Sequence, residues 1–187
     1  LFKFGDSPLD ASKCLPRLSE PNKVIEIFVW NEGCCAEINS TCIGDAKKPF
    51  CNLFLALKFG DRTSKKYLKS EVVILLLGNE HSLVISENGE EEYEFFRRNT
   101  ASVTIKTAYC HEPATAGHQG CVQNGLKATV NIGAHNIFIF ASQSFTIKDI
   151  IFTGRRFCAQ GGNGLEPGCI NLGKSTDFSL GSLIRRG

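Results

Sequence analysis

The chain has 187 residues, with 21 basic and 19 acidic side chains mixed along its length and a formal net charge of +2. This balance excludes the basic surface that neutralises nucleic-acid phosphates, so we expect no nucleic-acid partner. The longest aliphatic run, VVILLL at 72–77, is far shorter than the roughly 20 residues that cross a bilayer, and we expect no membrane span.

The cysteine content predicts an oxidising compartment, either extracellular or at the cell surface, because cytosolic chains of this size seldom carry nine thiols. An odd number leaves at least one cysteine free or bonded to another chain. The absence of methionine and the start at Leu1 indicate a processed product or an excerpt of a longer protein. The sequon NST at Asn39 predicts N-glycosylation. We expect disulfide bonds among Cys14, Cys34, Cys35, Cys42, Cys51, Cys110, Cys121, Cys158 and Cys169.

The first 52 residues form a predicted cysteine-rich segment, since they hold five of the nine cysteines and four of the six prolines. KVIEIFVW at 23–30 is its one predicted strand. PFCNLFLALKFG at 49–60 predicts a short helix that begins near the proline and ends at Gly60. A second domain, 53–187, would begin with this helix. The disulfide connectivity within the first segment stays open.

The remainder of the chain reads as short strands separated by polar loops. EVVILLLGNEHSLVIS predicts a strand, a turn and a strand, and further strands follow residue 100 in SVTIKT, KATVNIG, NIFIFA, SFTIKDIIFTG and DFSLGSLI. No amphipathic helix interrupts them, which argues against alternating strand and helix units. The sequence therefore predicts a mainly β fold.

Two cysteine loops indicate an internal repeat. CHEPATAGHQGC at 110–121 aligns with CAQGGNGLEPGC at 158–169, and just beyond them NIGAHNIFIF aligns with NLGKSTDFSL, which matches Asn131 with Asn171. Constant strands with loops of variable length are typical of a β solenoid. If one coil takes about half of the repeat, the chain holds four or five coils.

The first cysteine loop has two chemical interpretations. Four potential zinc ligands lie within it: Cys110, His111, His118 and Cys121. The second loop keeps the cysteines at the same spacing and has no histidine, which favours disulfides Cys110–Cys121 and Cys158–Cys169, each worth roughly 3 kcal/mol in the chain-entropy model. We expect no metal and no cofactor.

The segment NIFIFASQSFTIKDIIFTG resembles a rung of the right-handed parallel β-helices of the pectate-lyase-like kind. LFLALKFG followed by SEVVILLLGNEHSLVI is similar to the entry of such domains, where a short helix caps the first coil. The resemblance covers roughly residues 50 to 187 and implies a short right-handed parallel β-helix with a capping helix. In such a solenoid we expect the phenylalanines to stack inside the core.

Many members of that family bind or cleave acidic polysaccharide, using a calcium-binding carboxylate cluster with a base, or closely spaced aspartates. Neither arrangement is visible: Asp149 and Asp177 stand apart, and GHQG at 117–120 lacks accompanying aspartate motifs. We assign no catalytic residue and predict a structural module for assembly, adhesion, or filament and scaffold formation. The alternative is a carbohydrate-binding or carbohydrate-active β-helix.

VVILLL and NIFIFA are apolar at consecutive positions, whereas a solenoid strand with a solvated outer face should alternate. We expect the cysteine-rich segment to cover one of these outer faces and a neighbouring copy to cover the other, which makes the partner a homo-oligomer or polymer. The predicted interface residues are Ile137, Phe138, Ile139 and Phe140.

Overall fold

The computed structural model describes residues 23–67, 69–82, 92–96, 101–131, 136–139, 144–153, 159–161, 170–172, 177–181 and 184–185. Within these ranges the chain forms thirteen strands and one helix. All pairings between the strands are parallel. The predicted mainly β fold with one helix and disulfide-bonded cysteines is confirmed.

The helix is α1, Leu53–Ser64. The strands, in chain order, are β1 Lys23–Val29, β2 Ser70–Leu76, β3 Glu80–Ser82, β4 Glu92–Phe95, β5 Ala101–Thr107, β6 Ala128–Asn131, β7 Asn136–Ile139, β8 Ser144–Lys148, β9 Ile150–Thr153, β10 Ala159–Gly161, β11 Ile170–Leu172, β12 Asp177–Gly181 and β13 Ile184–Arg185.

The strands belong to three sheets that the chain visits in a fixed order. Sheet 1 has the order β1-β2-β5-β8-β12, sheet 2 the order β13-β9-β6-β3, and sheet 3 the order β10-β11-β7-β4. From β2 onward the chain passes from sheet 1 to sheet 2 to sheet 3 and returns to sheet 1, and from β5 onward each new strand except β10 lies beside the strand of the previous round. Consecutive strands are therefore not neighbours, except for β1 with β2 and β10 with β11.

Isoleucines in register fill the space behind sheet 1. Ile27 pairs with Ile74, Ile74 with Ile105, and Ile105 with Ile147, and all four side chains are buried. Full burial of one such side chain stabilises the fold by roughly 1.5–3 kcal/mol. Phe50, Phe96, Phe145 and Phe152 are also buried, in agreement with the interpretation of the phenylalanines as core residues.

The structural repeat differs from the repeat predicted from the cysteine loops. Asn131 lies in β6 of sheet 2, whereas Asn171 lies in β11 of sheet 3 and pairs with Phe138. The first cysteine follows β5 of sheet 1 in one loop and β9 of sheet 2 in the other, so equal spacing of the cysteines does not make the two loops equivalent. Paired residues in adjacent strands of sheet 1 are separated by 47 residues between Lys23 and Ser70 and by 31 residues between Ser70 and Ala101. One round of the chain is therefore longer than the half-repeat predicted for a coil.

The helix is shifted by a few residues from its predicted position. The side chain of Asn52 caps α1 by accepting a hydrogen bond from the backbone N–H of Leu55 at 2.9 Å. Phe50 instead pairs with Val29 and Cys51 is bonded to Cys34, so the residues before the cap stay extended. Gly60 does not end the helix but lies where the helix approaches sheet 1: a Cβ there would lie 2.9 Å from Val72 and 3.2 Å from Ile27.

The boundary predicted at residue 52 stays a prediction, and residues on its two sides share one core. β1 pairs with β2 along its whole length. Ile27 and Phe50 from the first segment belong to the same buried cluster as Leu57 and Val103 from the second.

Gly44 lies at a close approach between the described part of the first segment and the core. Gly44 has a φ of +71°, and a Cβ at this position would lie 2.4 Å from the buried ring of Phe50. The carbonyl of Gly44 accepts a hydrogen bond from the backbone N–H of Phe28 at 2.7 Å. This close approach therefore fastens the segment to β1 and requires glycine.

We predict that Gly44→Ala lowers the free energy of unfolding by roughly 3 kcal/mol, because left-handed backbone strain adds to displacement of a packed ring. Urea unfolding of the disulfide-intact protein measures it. Gly33→Ala is the matched control, since Gly33 has a φ of +58° and no atom near the added methyl. Equal losses in both variants would contradict a packing role for Gly44.

Candidate functional site

The outer face of sheet 1 is apolar at the carboxyl ends of its first strands, and the chain covers it with its own loops. Phe28, Leu75, Leu77 and Ala108 form a second buried cluster on that face. Ala46, from the cysteine-rich segment, packs against it. The cysteine-rich segment thus covers part of the outer face of VVILLL, one of the two faces for which the sequence predicted such cover.

The loop from Cys110 to Cys121 packs on the same face. Cys110 and Cys121 form a disulfide, which is the predicted pairing. Between them the backbone turns every three residues, with N–H groups bonding the carbonyls three positions earlier from Glu112 through Thr115 to His118. The loop is therefore a compact coil of turns closed at its base.

His118 fastens this loop to the cysteine-rich segment. Its Nδ1 accepts a hydrogen bond from the backbone N–H of Gly120 at 3.1 Å, so its Nε2 carries the proton and donates to the carbonyl of Ala46 at 2.6 Å. The ring also meets Trp30 edge to face at 5.4 Å between centroids. Both ring nitrogens are thus occupied by backbone groups.

The other histidine of the loop takes no part in this contact. His111 stacks on Tyr109 with 5.4 Å between ring centroids. Because the two cysteines bond each other, the four potential zinc ligands of the loop are engaged separately. In the part of the chain that the structure describes, no three His, Cys, Asp or Glu side chains are placed to hold a metal ion.

Trp30 sits on two glycines from distant parts of the chain. A Cβ at Gly120 would lie 2.7 Å from the indole ring, and one at Gly78 would lie 3.2 Å from its Nε1. The backbone N–H of Gly78 donates to the carbonyl of Gly120 at 2.6 Å, which joins the two glycines below the ring. The side chain is half-buried, so the seat supports the indole and leaves part of it accessible.

A groove of about 430 Å³ opens beside this tryptophan, and we call it the Trp30 groove. Amides and carboxylates share its lining with the indole and one exposed leucine. The lining residues that carry side-chain chemistry are Trp30, Asn31, Glu32, Asn79, Glu80, Gln119, Gln123 and Leu126. All of them except Trp30 are exposed.

A second groove of about 600 Å³ runs along the outer face of sheet 2, and we call it the sheet 2 groove. Its floor includes a row of polar side chains in register, Ser82, Asn131 and Thr153, which parallel pairing spaces at roughly 4.8 Å. The two grooves share Asn31 and Glu80 and are therefore adjacent.

His81 lies at the wall of the sheet 2 groove but belongs to the core. It occupies the buried position of β3, in register with Val130, and only 6% of it is exposed. Neither of its ring nitrogens has a partner with hydrogen-bonding geometry among the described residues. Burial lowers the pKa of His81 to about 4, and the backbone of Gly78 acts in the opposite direction.

The depressed pKa of His81 predicts acid lability. The unfolded chain binds a proton at this ring near pH 6.5, whereas the folded chain resists it until about pH 4. The free energy of unfolding is therefore highest above the unfolded-state pKa of 6.5, and about 3 kcal/mol of it is lost as the pH falls from 6.5 to about 4.

Urea unfolding of the wild type and of His81→Leu across this range measures the effect. We expect the difference in stability between the two proteins to grow as the pH falls, because only the wild type must bury an imidazole that the unfolded state protonates. His111→Leu, at an exposed histidine, is the control. A constant difference between wild type and His81→Leu would contradict the prediction.

Asn39 is exposed in the small loop closed by the Cys35–Cys42 disulfide. Its Oδ1 accepts hydrogen bonds from the hydroxyl of Thr41 at 2.9 Å and from the backbone N–H of Thr41 at 3.0 Å. The sequon thus forms a side-chain-mediated turn, and the Asn39 amide is open to a modifying enzyme. Glycosylation itself stays a prediction.

We predict that the chain expressed through a secretory pathway carries one glycan at Asn39. Intact-mass analysis before and after enzymatic deglycosylation measures it. Asn39→Gln and Thr41→Ala should abolish the mass difference, whereas Thr41→Ser, which keeps the hydroxyl, should retain it. An unchanged wild-type mass after deglycosylation would count against the site.

The remaining predicted site residues divide into described and undescribed positions. Cys34–Cys51 and Cys35–Cys42 are disulfides, which supplies the connectivity that the sequence left open. Of β7, with Ile137, Phe138 and Ile139, the backbone is described, and it lies between β4 and β11. The other predicted positions lie outside the described residues: Cys14, Cys158, Cys169 and Phe140.

The aspartates considered for catalysis are not brought together. Asp149 lies between β8 and β9 and forms an ion pair with Lys127 at 3.6 Å. Asp177 pairs with Ser144, at the opposite end of β8.

The described helix, α1, is not long and apolar enough to cross a membrane.

Sequence reasoning missed Trp30 and His81 as site residues. Trp30 is the only tryptophan of the chain and follows a predicted strand directly, which is a signal that was present. Nothing local marks His81, because its burial depends on its register with Val130, a residue 49 positions away.

Compared with protein-family models, curated proteins and solved structures, the chain has no significant match. Its function is therefore inferred from the geometry of its own residues.

Proposed function

We propose that the chain is a short right-handed parallel β-helix that serves as a non-catalytic structural module outside the cell, in assembly, adhesion or scaffold formation. The fixed order in which it visits three parallel sheets supports the solenoid. Crossovers between parallel strands of one sheet are almost always right-handed, which supports the hand. The disulfides fit an oxidising compartment.

The observation that carries the structural role is that each sheet, within the described residues, ends in a strand that pairs on one side only at both of its ends, and that part of the edge of β1 is covered. At the first end, Phe28 and Trp30 bond to Gly44 and Phe50, and α1 packs beneath the strands. At the other end, within the described residues, β10, β12 and β13 each pair with a strand on one side only. Such edges offer backbone groups for strand addition, either from another copy or from further rungs of the same polypeptide.

β7 supplies a second contact surface in this proposal. Ile137, Phe138 and Ile139 are consecutive, and alternate residues of a strand occupy opposite faces. We therefore expect an apolar side chain on the outer face of sheet 3. The chain covers the corresponding apolar face of sheet 1 with its own loops, and for sheet 3 we propose a neighbouring copy, with Phe140 extending the patch.

We predict that the purified 187-residue chain sediments as an oligomer at micromolar concentration. Ile137→Lys and Phe138→Lys form a matched pair, because neighbouring residues of a strand lie on opposite faces of its sheet. We expect circular dichroism to show that one of the two variants unfolds and that the other stays folded.

The lysine variant that stays folded also separates two modes of assembly. If copies associate flank to flank through β7, the folded lysine variant becomes monomeric. If they associate end to end through strand edges, it stays oligomeric. A monomeric wild type over the whole concentration range would contradict the assembly proposal.

A further inference from the structure

We propose that the Trp30 groove and the sheet 2 groove together form a binding site for neutral polysaccharide chains. This site lies at the covered end of the sheets and is independent of the assembly proposal. It also differs in charge preference from the acidic polysaccharides that the family resemblance implies.

The first argument is the chemistry of the Trp30 groove. Its indole has a rigid seat on Gly78 and Gly120 and is partly accessible, which suits stacking against the C–H face of a sugar ring. An indole so fixed loses little side-chain freedom when a ligand docks. Such a preorganised aromatic surface suits a rigid, amphipathic ring.

The second argument is the set of hydrogen-bonding groups around that ring. Asn79, Gln119 and Gln123 each carry an amide that both donates and accepts, as adjacent sugar hydroxyls require. The carboxylates of Glu32 and Glu80 can only accept, and their hydrogen bonds from hydroxyl groups are short and strong. The groove thus offers both hydrogen-bond donors and acceptors to a polyhydroxylated ligand, around one apolar surface.

The third argument is length. The two grooves are adjacent and share Asn31 and Glu80. The row of Ser82, Asn131 and Thr153 then repeats at the strand spacing of roughly 4.8 Å, close to the length of one sugar unit. A chain of several units therefore fits the combined surface better than a single sugar does.

Charge decides which polysaccharides fit. None of the described residues lining the two grooves is Lys or Arg, whereas Glu32 and Glu80 are exposed there. Uronate units would meet like charge near their carboxylates, which we expect to weaken their binding by roughly tenfold or more. Uncharged units meet no such repulsion, so the site selects neutral chains.

The experiment uses the native chain and its single tryptophan, whose fluorescence reports directly on the groove. Cellohexaose, mannohexaose and chitohexaose are the neutral probes, and hexagalacturonate is the acidic probe. At least one neutral hexasaccharide should shift the emission of Trp30 saturably. Hexagalacturonate should bind roughly tenfold more weakly.

Variants at the exposed rim test the assignment without disturbing the seat of Trp30. Gln123→Ala should weaken binding roughly fivefold by removing one hydrogen-bonding side chain. Glu80→Lys should raise the affinity for hexagalacturonate roughly tenfold. Glu37→Lys makes the same charge change at an exposed position outside both grooves and should alter neither affinity. Circular dichroism verifies that each variant is folded.

Three outcomes would overturn the proposal. The first is an unchanged tryptophan spectrum with every neutral hexasaccharide at millimolar concentration. The second is hexagalacturonate binding to the wild type as tightly as the best neutral probe. The third is neutral-probe binding that Gln123→Ala leaves unaltered while Glu80→Lys and Glu37→Lys behave alike. None of these outcomes depends on whether the chain self-associates.

Discussion

Parallel register through sheet 1 is the constraint on which the rest of the structure depends. The stacked row of Ile27, Ile74, Ile105 and Ile147 exists only because strands 31 to 47 residues apart pair without a slip. A slip of one residue would turn every core side chain of a strand outward. The same alignment fixes the row of polar side chains on sheet 2 and sets where each loop leaves the core, so the two grooves are consequences of the core register.

The apolar outer face of sheet 1 explains why the cysteine-rich segment and the loop from Cys110 to Cys121 meet. Each covers part of that face, and His118 joins them through its bond to Ala46. The disulfide closes the base of the loop, but the histidine and the glycines under Trp30 determine where it docks. The disulfide and the noncovalent docking contacts thus act at different points of the same loop.

The sequence was sufficient for features set by neighbouring residues. SVTIKT was predicted as a strand, and equal cysteine spacing predicts the bond between Cys110 and Cys121; both agree with the structure. The helix start was missed because Phe50 is held by pairing with Val29, which no local pattern reveals. The seat of Trp30 was missed for the same reason, since it combines residues from three distant segments. The repeat was misassigned because similar loops leave the chain after different sheets.

The unequal rounds of the chain have an evolutionary consequence. Steps of 31 and 47 residues return to adjacent strands with the same inward pattern, so a corner can lengthen or shorten while the strands keep their places. Mutation can therefore sample new corner sequences without first losing the fold. The corner that carries Gln119 is also held by the Cys110–Cys121 disulfide and by the contacts of His118 and Gly120, so there such change is confined to the exposed positions between these anchors.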